Sequence, residues 1–222
     1  YVDILAALAI LVVGILISRG LHQVSRIENV IVAVKLLVIL MFIVVGATAI
    51  QAKNYVPFIP PHRPGTSFGG WQGILAGTAQ IFIAYVGFDA IAANTAETRN
   101  PQKTMPRGLI GTLVLGTGFF IAVSLVLVGM FKYDRYANNA EPAAWALRHA
   151  GHYFTANLLS VVAIVGIFSA LIAILLASSR LIYAFGRDGL LPKTLGVIDD
   201  RHVPNHALWL ITVLAMILGS VF

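Results

Sequence analysis

The stretch Gln80–Gly108, QIFIAYVGFDAIAANTAETRNPQKTMPRG, decides how the rest of the chain is read. It begins as an apolar segment, is interrupted by Gly87-Phe88-Asp89, and stops in a polar, basic turn with two prolines. A carboxylate inside lipid-length sequence is costly, and such a residue faces a cavity, a pathway or a partner. Asp89 is followed by Ala90-Ile91-Ala92-Ala93, so it lies near neither end of its segment. Gly87 weakens the helix beside it, since glycine costs about 1 kcal/mol relative to alanine. An unwound turn there would offer free N–H and C=O groups to a small charged ligand, as broken helices do in many carriers. The plainer alternative is an aspartate held protonated, or hydrogen-bonded between helices for packing. Glycine alone decides little, because it is common in membrane helices.

Composition sets the context. The chain has 222 residues, of which 59% are hydrophobic and only 11% charged, with a mean hydropathy of +0.88. A soluble domain this apolar could not cover its surface with polar groups, so the expectation is an all-α polytopic membrane protein in a lipid bilayer. The absence of cysteine excludes a disulfide framework, a thiolate metal site and a cysteine nucleophile. The net charge of +6 contains no run of five Lys/Arg. It reads as basic loops at a membrane rather than a nucleic-acid partner. With no initiator Met, and with the sequence stopping at Phe222 inside an apolar run, both ends read as cut from a longer chain.

Six apolar segments approach the roughly 20 residues needed to cross a bilayer core. They are residues 2–18, 30–50, 71–96, 109–131, 156–179 and 206–222, the last incomplete, and together they form one transmembrane domain over 1–222. The third is the least apolar, with Gly73, Gly77, Gln80, Gly87 and Asp89. Loops near 19–29, 97–108 and 180–205 share one side and carry nine Lys/Arg, against five on the other two loops. That excess places these three loops in the cytoplasm, and the third segment then runs inward. Residues 141–148 read as a short helix at the membrane surface. Pro101 and Pro106 predict a sharp turn, with Pro106 opening the following helix. Gly189 and Pro192 are suited to end the fifth segment.

The second charge well inside an apolar segment is Lys35, in VIVAVKLLVIL. It lies roughly 7–8 Å below the start of its helix at 1.5 Å per residue. From there its stem can snorkel to the headgroups. Turned into the bundle instead, desolvation favours the neutral amine, which suits a proton carrier or the stand-in for a bound cation. The sequence has no His-Glu-x-x-His, no Gly-x-Ser-x-Gly and no phosphate-binding glycine loop. Nothing supports an enzyme, a metal site or a bound cofactor.

Three ordered motifs now resemble one family. IAYVGFDAIAANTAETRNPQKTMPRG is similar to the sixth transmembrane helix and following turn of amino-acid permeases. NYVPFIPP (Asn54–Pro61) with FGGWQGILAG (Phe68–Gly77) resembles the entry to that helix, and RLIYAFGRDGLLP (Arg180–Pro192) the end of the eighth. The group is the amino acid–polyamine–organocation superfamily, nearest its cationic amino acid transporter branch and bacterial relatives. The resemblance implies a LeuT-type inverted-repeat fold, of which this chain holds about six helices, the fourth to the ninth. The first helices and the last would be supplied by missing parts of the same polypeptide. It implies an amino-acid substrate at Ile83, Ala84, Tyr85, Val86 and Gly87, with Asp89 at a gating position. It puts Lys35, with Ser169, at a site where a proton replaces a coupling sodium ion. Phe168 and Ile83 depart from the family pattern, the latter from a common aromatic gate. The implied activity is proton-coupled amino-acid transport at the plasma membrane. An amino-acid exchanger, or a non-transporting or channel-like member of the same fold, stays open.

Overall fold

The computed structural model describes residues 4–19, 22–62, 64–66, 68–85, 87, 100–199 and 203–221. Among them the regular elements are all helical. They are α1 (Ile4–Ser18), α2 (His22–Ala47), α3 (Gly70–Phe82), α4 (Pro101–Met130), α5 (Pro142–His149), α6 (Tyr153–Arg187) and α7 (Asn205–Val221), with short 3-10 turns between several of them. Within α2, the stretch Asn29–Ala47 is long and apolar enough to cross a membrane, as are α4 and α6; α1 and α7 are shorter apolar helices.

Several boundaries differ from the hydropathy reading. Residues 101–108, expected as a turn, are the first two turns of α4, and Pro106 lies inside the helix rather than opening it. The reason is local. Pro101 takes the first helical position, where its missing N–H costs nothing. Asn100 adopts φ 54°, and its carbonyl accepts from the N–H groups of Lys103 and Thr104, both at 3.1 Å. Pro106 then forgoes one ladder bond, which the rest of a 30-residue helix tolerates. Likewise α6 continues to Arg187 past the expected end at 179, and α2 begins at His22 inside the expected loop 19–29. Hydropathy registers lipid-like composition, whereas a helix continues as long as its backbone is paired.

The described residues fall into two compact units. The first comprises residues within 1–35, 89–107 and 163–222. Its core joins Ile10, Val13 and Ile17 of α1 to Leu175 of α6, and to Val203 and Leu208 around the start of α7. The α1 positions fall at i, i+3 and i+7, one stripe of a helix. Thr212 and Ser179 are buried there, and each satisfies its hydroxyl on its own helix, to Leu208 O at 2.7 Å and Leu176 O at 2.8 Å. α6 ends where the sequence predicts a cap. Leu190 N–H reaches Phe185 O at 2.9 Å, and Gly189 N–H reaches Gly186 O at 3.3 Å. Gly189 sits at φ 81°. Those two bonds and the left-handed residue make a Schellman closure, which the glycine permits without strain.

The second unit comprises residues within 36–88 and 108–162. Phe42 of α2, Val126 and Met130 of α4, Ala146 and Leu147 of α5 and Ala156 of α6 form its buried core. The turn Ala52–Tyr55 is clamped to the end of α4. Asn54 Nδ2 donates to Gly129 O at 2.8 Å and to Met130 O at 2.9 Å, so a side chain serves carbonyls that the helix end leaves unpaired. Tyr55 OH donates to Leu125 O at 2.8 Å. The expected short helix is present as α5, opened by Pro142. Its Trp145 stands edge-on to Phe131 at 5.2 Å and to Tyr136 at 5.6 Å.

Tyr136 gives a pH prediction. Its hydroxyl donates to Leu127 O at 2.6 Å. Burial pushes the phenol up to about 12, against a smaller opposing pull from the Phe131 backbone. The folded state therefore holds this proton more tightly than the unfolded chain does. Its contribution is complete below pH 10 and lost as pH rises through 12. Thermal unfolding temperature is expected to fall across that window. Tyr136→Phe should start from a lower plateau, because it loses the Leu127 bond, and should show a shallower alkaline decline.

Candidate functional site

Two groups of candidate residues have defined geometry, one in each unit. The first lies where α3 stops. Exposed apolar side chains run along α3 to Phe82. The N–H of Ile83 then turns to Gln80 O, three residues back, rather than continuing the four-residue ladder. Ile83–Tyr85 form a single 3-10 turn, and Gly87 takes φ 108°, a backbone setting that L side chains rarely adopt. The chain thus leaves the α-helix at the glycine-containing stretch. Ile83 is exposed, as is Ala84. Tyr85 is fixed from the side: its hydroxyl and Thr117 Oγ1 on α4 are 2.8 Å apart. Its ring stands edge-to-face on Phe120 with centroids 5.4 Å apart. Val86 and Asp89, named from the sequence as a substrate contact and a gate, lie outside the described residues.

Thr117 and Phe120 were not singled out by sequence reasoning. The one available signal was the hydroxyl between two glycines in Gly116-Thr117-Gly118. The hydroxyl pair predicts its own measurement. Tyr85→Phe and Thr117→Val should each lower stability by about 1 kcal/mol, the usual net worth of such a bond. The double variant should cost less than the sum, because each single change strands the other hydroxyl. Strict additivity in thermal unfolding would show that the tether contributes nothing.

The second group joins α2 to α6. Lys35 is part-buried, and its Nζ donates to Ser169 Oγ at 3.2 Å. Ser169 is buried, only 3% exposed. The lysine therefore ends on a buried hydroxyl of the neighbouring helix. Phe168, the departure from the family pattern beside it, is 41% exposed. Among the described residues no group of three or more His, Cys, Asp or Glu could hold a metal ion. What the two groups offer is a helix end that passes into a 3-10 turn, and an ammonium donor paired with a hydroxyl.

The amino acid permease family model matches residues 2–222, and the chain belongs to that family. Membership carries the LeuT-type all-α fold of the amino acid–polyamine–organocation superfamily, a family of transporters rather than enzymes. Over 221 residues it is 49% identical to the branched-chain amino acid permease BcaP of Lactococcus lactis subsp. cremoris (strain MG1363), covering 100% of this chain and 48% of that protein. It is 39% identical to the methylthioribose transporter of Bacillus subtilis (strain 168), covering 95% of this chain and 44% of that protein. With the chloroplastic cationic amino acid transporter 9 of Arabidopsis thaliana the identity is 34%, covering 86% of this chain and 32% of that protein. The chain thus spans about half the length, or less, of the curated relatives it matches. It is a membrane protein by family and by its apolar helices.

Proposed function

We propose that the complete polypeptide carries amino acids across the plasma membrane, driven by protons, with the substrate held at Ile83–Gly87. The observation that carries this reading is the end of α3 at Phe82 followed by the 3-10 turn and the left-handed Gly87. The negative end of the α3 dipole suits a substrate ammonium, and backbone N–H groups freed from helical pairing suit a carboxylate. Asp89 acts as gate, and Lys35 with Ser169 as the proton-coupling pair that takes the place of a cofactor or metal. The other half of the substrate site comes from helices of the same polypeptide beyond this chain. The loops near 19–29, 97–108 and 180–205 face the cytoplasm.

The favoured substrate class is apolar, branched-chain amino acids. Two facts support it: the 49% identity to a branched-chain permease and the apolar side chains at Phe82, Ile83 and Ala84. Cationic amino acids are the second class, favoured by the match to cationic transporters at 34%. The test is uptake of labelled leucine into proteoliposomes under an inward pH gradient, with unlabelled amino acids as competitors. Competition by leucine, isoleucine and valine, with none by lysine or arginine, is expected. Competition by lysine and arginine alone would transfer the assignment to the second class. Counterflow without any response to the pH gradient would make the protein an exchanger.

A further inference from the structure

On α6, Gly166 and Ser169 are three residues apart and so lie on one face of the helix. Gly166 has no left-handed φ to explain its presence. In a helix interior it is about 1 kcal/mol less favourable than alanine. The neighbouring side chain supplies the reason. A Cβ at Gly166 would stand 3.1 Å from Lys35 Cδ and 3.9 Å from its Cγ, the first closer than the 3.5–4.0 Å at which carbon atoms attract. Four glycines on α4 differ: at Gly108, Gly111, Gly116 and Gly118 an added Cβ would meet nothing among the described residues within 4 Å, whereas at Gly129 it would meet Tyr55. The lysine stem thus lies in the space of an absent side chain, and its Nζ comes to rest 3.2 Å from Ser169 Oγ about one turn further on.

We propose that Gly166 is a positioning residue for Lys35, leaving the room that keeps the stem against α6 and its Nζ on Ser169, and that it thereby sets proton coupling. The inference rests on the proton-coupling reading of Lys35. A methyl group at 166 must displace the stem by a few tenths of an ångström. A branched side chain fills the space and drives the amine from its acceptor.

The experiment compares Gly166→Ala, Gly166→Val, Lys35→Ala and the double variant Gly166→Val/Lys35→Ala with the parent, all in the complete polypeptide in proteoliposomes. Gly111→Ala controls for removing a helical glycine. Uptake driven by a pH gradient, its pH profile, and counterflow, which needs no gradient, are read for each. Gly166→Val is expected to lose about tenfold of gradient-driven uptake, the scale of one hydrogen bond to a charged group, while counterflow stays within twofold. Gly166→Ala should lie between it and the parent with a displaced pH profile, and Gly111→Ala should match the parent. In the Lys35→Ala background, Gly166→Val should add nothing further. If Gly166→Val couples like the parent while Lys35→Ala does not, the inference fails and the coupling reading stands. If Lys35→Ala itself stays coupled, that reading fails and the inference falls with it. Equal loss of counterflow and coupling, repeated in the Lys35→Ala background, would make Gly166 a packing residue only. Should Gly166→Val fail to fold, the displaced pH profile of Gly166→Ala decides: its absence overturns the inference.

Discussion

Lys35→Ala is expected to lower uptake driven by a pH gradient by about tenfold or more, while leaving counterflow of the same substrate nearly intact. The magnitude follows from the contact. A hydrogen bond from a charged donor contributes about 1.5–3 kcal/mol, and every 1.4 kcal/mol is a factor of ten. Lys35 Nζ makes such a bond to Ser169 Oγ at 3.2 Å, on a hydroxyl that is 3% exposed. Alanine removes both the titratable amine and its tie to α6. Ser169→Ala keeps the amine and removes this acceptor, so a smaller loss and an altered pH profile are expected. Lys35→Arg should not restore coupling, because a guanidinium stays charged and is a broader, planar group. Unchanged gradient-driven uptake in Lys35→Ala proteoliposomes would end the coupling role.

The second large effect is expected at Gly87. Its φ of 108° lies where a side chain is strained, at a cost of order 1–3 kcal/mol. Among the described residues a Cβ there would meet nothing within 4 Å. The expected penalty of Gly87→Ala is one of backbone conformation, which continuing α3 through Ile83–Tyr85 would relieve. Uptake is expected to fall about tenfold or more by the same conversion. Thermal stability should change little, since neither core cluster includes this residue. Normal uptake kinetics in Gly87→Ala would show that the break is not part of the transport machinery. A collapse of stability without a specific loss of substrate binding would make it a folding element instead.

Much of this protein was legible in the chain itself. Apolar length and the lack of charge announced a membrane protein, because composition is what a bilayer selects. Gly87 beside Ile83–Tyr85 marked a weak point in a helix, because propensity is local. Gly189 marked the end of α6, because a left-handed closure needs glycine. Pro106 misled, since a proline's place in a helix depends on where the preceding turn is nucleated, and here Pro101 and Asn100 do that five residues earlier.

What the linear order could not decide was contact between distant residues. Snorkelling and an inward-facing role were equal readings of Lys35, because its depth is fixed by sequence but its azimuth is not. The folded chain brings Nζ to a serine 134 positions away. Thr117 and Phe120 meet Tyr85 across 32 and 35 positions only because α4 passes beside the turn that follows α3. Gly166 looks like any other glycine until the Lys35 stem lies against it. The sequence alone determined the membrane character, the all-helical class and the family. The tertiary structure decided which side chains share a hydrogen bond, because that depends on helix rotation and approach, which local propensity and hydropathy do not encode.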